Sequence, residues 1–166
     1  MKTVLVPVDG SHRALAAVRA AAREGSAAIA RIELVNVQPL FHRHIARWVS
    51  RASRDGWRAE RARRALEPAL RVAEASGIAV GAHAMAGPTA PSILEVARRT
   101  GADEIVVASG RHTALGRLLA HSVSARLLVL SAIPVRVIPV GRASLLERVA
   151  LPAGLGLAAL LFLADE

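Results

Sequence analysis

The segment 2–8 is a nearly continuous run of apolar and β-branched residues that closes at Asp9-Gly10-Ser11. Such runs are typical of strands buried on both faces of a sheet, as in parallel α/β proteins. Ser11 is a favourable helix N-cap, and apolar residues follow it at helical spacing until Gly25. The opening residues therefore predict a strand, a tight loop and a helix.

This alternation continues along the chain. Further strands are predicted at 31–38, 78–86, 104–109 and 134–140, with helices at roughly 42–76, 89–100 and 122–132. Strands that alternate with helices predict a mainly parallel sheet with right-handed crossovers. Ligands bind beyond the carboxyl ends of such strands, so the loops after Asp9, Gln38 and Ser109 are the predicted functional region.

The composition excludes several classes of protein. Cysteine is absent, so disulfide scaffolds, thiolate zinc sites, iron–sulfur clusters and cysteine nucleophiles are ruled out. Two Trp and two Phe are the only aromatic residues, which argues against a stacking surface for nucleic acid. Neither a paired-carboxylate motif nor an oriented Ser–His dyad is visible, and His42-x-His44 lacks neighbouring metal ligands. We therefore expect neither an enzyme nor a metal site.

Four segments, in order, carry a resemblance to a known family. They are VLVPVDGS at 4–11, GPTA at 87–90, ADEIVV at 102–107, and SVS at 122–124 followed by Arg126 and Pro134-Val135. Across residues 1–140 the chain resembles the universal stress protein family. The resemblance implies a three-layer α/β fold, flavodoxin-like or adenine-nucleotide α-hydrolase-like, with a five-stranded parallel sheet. It also implies a homodimer joined through the last strand. Many members bind ATP, and others act through partners without it.

The family's ATP-binding members share a G-x2-G-x9-G-[ST] loop after the fourth strand. Its glycines let the backbone approach the phosphates, and a helix N-terminus offers free N–H groups. Counted back from Ser122, the three glycine positions hold Ala108, Arg111 and His121. This added bulk predicts weakened or lost ATP binding. The alternative is a cationic anion site, formed by Arg111, His112, Arg117 and His121.

For any retained ligand, the resemblance and the strand ends point to six residues. They are Asp9, Val37, Ser109, Gly110, Ser122 and Val123. No cofactor is assigned, and ATP is left open. We expect a non-catalytic regulatory or protective binding module of the stress response. One alternative is a nucleotide-binding switch that controls a partner, and another is a membrane-tethered adaptor.

A basic stretch follows the second predicted strand, and the formal net charge of the chain is +9. Six of its arginines recur every three or four residues, which places them along one side of a helix: Arg43, Arg47, Arg51, Arg54, Arg58 and Arg61. We interpret them as the solvated face of a surface helix. The alternative is a docking face for an acidic partner or an anionic surface. Trp48 and Trp57 are predicted to pack against the sheet.

The last segment, 141–166, is predicted to be an apolar extension of the domain. Its residues 149–164 are sixteen in number and uncharged, against about 17–25 apolar residues for a membrane-spanning helix. We expect this stretch to pack on the domain or across a dimer, the alternative being a membrane anchor. Nothing at the start resembles a signal peptide, so a cytoplasmic location is expected, or membrane association through the tail.

Overall fold

The computed structural model describes residues 1–40, 48–110 and 123–140. Within these ranges five strands and four helices alternate. They are β1 (Lys2–Pro7), α1 (His12–Ala22), β2 (Ile29–Gln38), α2 (Arg51–Glu74), β3 (Ala79–Ala86), α3 (Thr89–Thr100), β4 (Glu104–Gly110), α4 (Val123–Leu130) and β5 (Val135–Val140). The predicted alternation of strands and helices is confirmed.

All five strands are parallel, in the order β3-β2-β1-β4-β5. The chain builds outward from β1 through β2 to β3, then returns to the other side of β1 for β4 and β5. The strand order therefore reverses between β1 and β4. In open sheets of this type, the loops that leave the two strands at such a reversal diverge and form a crevice.

Two helices cover each face of the sheet. On one face, α1 and α2 bury Val4, Val6, Ile32, Leu34 and Val106 with their own apolar residues. On the other face, α3 and Leu127 of α4 bury Leu5, Val35, Ile105 and Val107. Successive strand residues point to opposite faces, so a strand covered on both sides must be apolar at every position. This requirement explains the continuous apolar run at the start of the chain.

The basic helix differs from the prediction in two respects. Residues 48–50 are not helical, and α2 begins at Arg51, where the Ser50 hydroxyl accepts a hydrogen bond from the Ser53 N–H at 3.1 Å. The predicted packing of the tryptophans on the sheet is wrong, because Trp48 is 88% exposed and Trp57 is 47% exposed. The first part of the predicted helix, 42–47, lies outside the described residues.

Four charged side chains form an ion-pair network at the amino edge of the sheet. The Lys2 ammonium lies 2.6 Å from Glu104 and 3.1 Å from Glu24, and Arg136 donates to Glu104 at 2.7 Å and also pairs with Glu24. The network links β1, β4 and β5 to the residues that follow α1. Burial acts to raise the pKa of Glu24, but hydrogen bonds from Lys2 and Arg136 outweigh it and lower that pKa.

We predict that this network makes the free energy of unfolding decrease as the pH falls into the acid range. Because the pKa of Glu24 is lower in the folded protein than its ordinary value of 4.5, its contribution is present above that value and is lost as the pH falls through the folded pKa. Glu24→Gln should lower the free energy of unfolding by about 1 kcal/mol at neutral pH. Urea unfolding across an acid-to-neutral series should show this difference vanish in acid.

The control is Glu74→Gln, at an exposed carboxylate that pairs with no cation in the described part of the chain. This substitution should leave stability nearly unchanged at every pH. An effect of Glu74→Gln as large as that of Glu24→Gln would contradict the assignment.

Candidate functional site

The loop after β1 turns sharply at the carboxyl edge of the sheet. The Asp9 carboxylate accepts a hydrogen bond from the Ser11 N–H at 2.9 Å, and the Ser11 hydroxyl caps α1 by accepting from the Ala14 N–H at 3.2 Å. Between them Gly10 has a φ of +83°, a left-handed conformation that favours glycine. The Asp-Gly-Ser sequence thus directs the N-terminus of α1 towards the end of β1.

A cavity of about 170 Å³ opens at the reversal of strand order. Its apolar residues come from the strand ends and from α3, and include Val35, Val37, Ile93 and Val107. Drug-sized ligands occupy pockets of about 300–1,000 Å³. The cavity formed by the described residues therefore has the size of part of a nucleotide, such as its base.

Polar groups line the same cavity where three helices begin. Asp9, Ser11 and Arg13 contribute from the start of α1, Thr89 from the start of α3, and Ser124 from the start of α4. Helix N-termini present free N–H groups and a partial positive charge, which attract anions. The arrangement can hold an apolar ring on the strand ends, accept a hydrogen bond at Asp9 and attract a phosphate at the helix starts.

Two buried amides hold the loops around this cavity. The Asn36 amide donates to the Val8 carbonyl at 2.7 Å and accepts from the Gln38 amide at 2.6 Å. The backbone carbonyl of Gln38 accepts a hydrogen bond from the Gly87 N–H at 3.0 Å. The end of β2 therefore positions both the loop after β1 and the turn before α3. Sequence reasoning missed these residues, although two amides on one face of a buried strand are an unusual pattern.

The structure brings three of the six predicted site residues together, since Asp9, Val37 and Val123 all line the cavity. Ser109 and Gly110 instead form the end of β4, where they pair with β5 and do not line this cavity. Ser122 lies outside the described residues. So do Arg111, His112, Arg117 and His121 of the alternative cationic site, which stays a prediction.

Other lining residues were missed by sequence reasoning. Arg13, Thr89 and Ser124 each lie within two residues of the start of a helix or of its cap. That position was the available signal, because parallel topology places these helix starts at the ligand-binding edge. Ala108, at the first glycine position of the family loop, also lines the cavity and adds a methyl group there.

Comparison with known proteins identifies the family. A sequence model described as "Universal stress protein family" matches residues 1–139, so the chain belongs to the universal stress protein family. The match covers β1 to β4, the residues that line the cavity and almost all of β5. No curated protein matches the chain significantly.

Solved structures agree with this assignment. A universal stress protein from Burkholderia pseudomallei is 29% identical, with a TM-score of 0.65 over 84% of this chain and 96% of its own. A universal stress protein in complex with cAMP is 27% identical, with a TM-score of 0.64 over 82% of this chain and 96% of its own. A family protein from Arabidopsis thaliana with AMP bound is 18% identical, with a TM-score of 0.60 over 85% and 93% of the two chains, and shares the fold.

No helix in the three described ranges is long and apolar enough to cross a membrane. The predicted tail, 141–166, lies outside those ranges. Its assignment as a packed extension or as a membrane anchor therefore stays a prediction.

We predict that Asn36→Ala destabilises the site and the fold together. The substitution leaves the buried Val8 carbonyl and Gln38 amide without their partner, which should cost about 1–3 kcal/mol. Urea unfolding measures the loss, and hydrogen exchange should show faster exchange in the loop after β1. Ser26→Ala, at an exposed position, is the control. Equal stability of the two variants would show that the amide pair does not hold this loop.

Proposed function

We propose that this universal stress protein is a non-catalytic binding module of the stress response, with a regulatory or protective role. Its site would take a nucleotide with a single phosphate and bind ATP weakly. The observation that carries the proposal is the small apolar cavity at the strand reversal, bordered by Asp9, Arg13 and three helix starts. A family structure that is 27% identical is described as a complex with cAMP, a nucleotide of this kind.

The lining residues support binding by complementary surfaces. Val37, Ile93 and Val107 offer an apolar contact for a base, and the Asp9 carboxylate can accept a hydrogen bond from a sugar hydroxyl or a base amine. Arg13 provides a cation for a phosphate. Among the described residues that line the cavity, Asp9 is the one carboxylate and none is a histidine. This supports a binding role over acid–base catalysis, which pairs a base with an oriented partner.

Weak ATP binding is proposed from the family loop. Glycine at its three fixed positions lets the backbone approach a triphosphate, and this chain has Ala108, Arg111 and His121 instead. Each substitution adds atoms where the family leaves space. A nucleotide with one phosphate needs less space at this loop than a triphosphate does. Strong ATP binding would instead favour the alternative of a nucleotide-controlled switch.

The test of ligand choice is calorimetric titration of the full chain with cAMP, AMP and magnesium ATP. We expect the monophosphates to bind at least about tenfold more tightly than ATP, a difference of about 1.4 kcal/mol. Replacing Ala108, Arg111 and His121 by glycine should narrow that gap. Asp9→Asn should weaken monophosphate binding, whereas Glu95→Gln, at an exposed carboxylate of α3, should not. ATP as the tightest ligand would overturn the proposal.

We also propose that the protein is a homodimer joined through β5. This strand is the edge of the sheet, next to α4, whose Leu128, Val129 and Leu130 are exposed. An edge strand presents unpaired backbone groups, and exposed apolar residues beside it favour burial against a second copy.

We propose a cytoplasmic location for this dimer. The tethered adaptor, which depends on the tail, is its alternative.

Sedimentation equilibrium tests the dimer. The full chain should have twice the mass of one 17.4 kDa chain, and Val129→Glu should shift the equilibrium towards the monomer. Val129 is 83% exposed, so its replacement should not disturb the fold. A mass of one chain at every concentration would contradict the proposal.

A further inference from the structure

The first half of α2 contributes no residue to the buried core. None of the residues from Arg51 to Arg61 is buried, and the first buried residue of the helix is Ala62. The 24 residues of α2 span about 36 Å, whereas the eight residues of the adjoining β3 span about 26 Å. The helix is thus longer than the strand that it covers. Residues 48–61 are called the basic helix end below.

The basic helix end lies at the same edge of the sheet as the cavity. It follows β2, so it starts at the carboxyl edge, and Ala65 just beyond it lies against Gly10 of the loop after β1. Its exposed side is that of a single helix, which is a convex surface. A convex surface cannot enclose a peptide, but it can make contact with a broad or deformable surface.

The charges of the basic helix end are unbalanced. Asp55 pairs with Arg58 at 2.9 Å, and Glu60 pairs with Arg63 and Arg64 at 2.9 Å and 2.6 Å. Both acidic residues are thus committed. Hydrogen bonds from Arg63 and Arg64 lower the pKa of Glu60 to about 2, so it stays ionised.

Three arginines of the basic helix end have no carboxylate partner in the described part of the chain: Arg51, Arg54 and Arg61. Among the residues that the structure describes, none of the three has a carboxylate within salt-bridge distance. Their uncompensated charge is complementary to an anionic partner.

Both tryptophans of the chain lie on this helix end. Trp48 is 88% exposed, and Trp57 is 47% exposed with the Arg61 guanidinium 5.1 Å from its ring centroid. Leu40 and Val49 add exposed apolar surface nearby in the sequence. Tryptophan with arginine is the combination found where proteins enter the lipid–water interface, with indoles at headgroup depth and guanidiniums on phosphates. The scarcity of aromatic residues elsewhere makes this concentration unusual.

We propose that the basic helix end docks on an anionic membrane surface, with Trp48 and Trp57 at headgroup depth and Arg51, Arg54 and Arg61 on lipid phosphates. The convex shape and the two exposed indoles favour a deformable lipid surface over an acidic protein. Docking in this way turns the carboxyl edge of the sheet, and with it the cavity, towards the bilayer.

The test is flotation of the full chain with phosphatidylcholine vesicles, with and without phosphatidylglycerol. Binding should require phosphatidylglycerol and fall at high salt, because the contact is electrostatic. Tryptophan fluorescence reports on this surface alone, since both tryptophans are in it. It should shift to the blue on binding and be quenched by brominated lipid. Replacing Arg51, Arg54 and Arg61 by Gln should weaken binding by about fivefold for each arginine removed.

The matched control replaces Arg63, Arg64 and Arg71 by Gln, which removes the same charge from paired positions of the same helix. This variant should bind much more tightly than the first. Trp48→Ala should weaken binding without loss of stability. Vesicle binding that does not depend on phosphatidylglycerol, or that persists after replacement of Arg51, Arg54 and Arg61, would assign membrane contact to the tail and overturn the proposal. So would a fluorescence shift with polyglutamate or duplex DNA but none with vesicles.

Discussion

The central constraint on this fold is the burial of β1 on both faces and along both edges. Val4, Leu5 and Val6 are completely buried, and β1 pairs with β2 on one side and β4 on the other. A strand in that position cannot turn towards solvent until its end, so the first polar residues after it, Asp9 and Ser11, must lie at the carboxyl edge. Because the chain leaves β1 towards β2 and later returns to β4, the loops diverge at this strand reversal and leave a crevice. The cavity is a consequence of the strand order.

The walls of that crevice depend on polar groups that are themselves buried. Asn36 and Gln38 are only 2% and 5% exposed, and they join the end of β2 to the loops on either side. Buried amides are costly unless they are hydrogen-bonded, and here the Gln38 amide donates to Asn36, whose own amide donates to the loop after β1. The opposite edge is held differently, by ion pairs among Lys2, Glu24, Glu104 and Arg136. One edge thus uses neutral groups next to a ligand cavity, and the other uses charges in a closed network.

Much of this architecture could be predicted from the sequence, because a strand buried on both faces, such as 2–8, is a continuous run of apolar residues. The residues of the loop after β1 were equally visible, since Asp-Gly-Ser specifies both a tight turn and a helix cap. The environment of Trp48 and Trp57 could not be predicted in the same way. Helical periodicity continues through 51–61, but it does not show that α2 is longer than its neighbouring strand β3. The pairing of Asn36 with Gln38 and Val8 depends on contacts between separate segments, which no local pattern encodes.

The distribution of charge follows from the same topology. At the amino edge, Lys2 and Arg136 are neutralised by Glu24 and Glu104. In the described part of the chain, the carboxyl edge has Arg13 beside the cavity and Arg51, Arg54 and Arg61 on the basic helix end, with no carboxylate in salt-bridge distance of any of them. Parallel strands place the starts of all the intervening helices at that edge, and each start adds partial positive charge. Cations without a carboxylate partner and helix starts therefore lie together at the carboxyl edge of the sheet. A phosphate in the cavity and phosphates on a lipid surface would both be drawn to this edge.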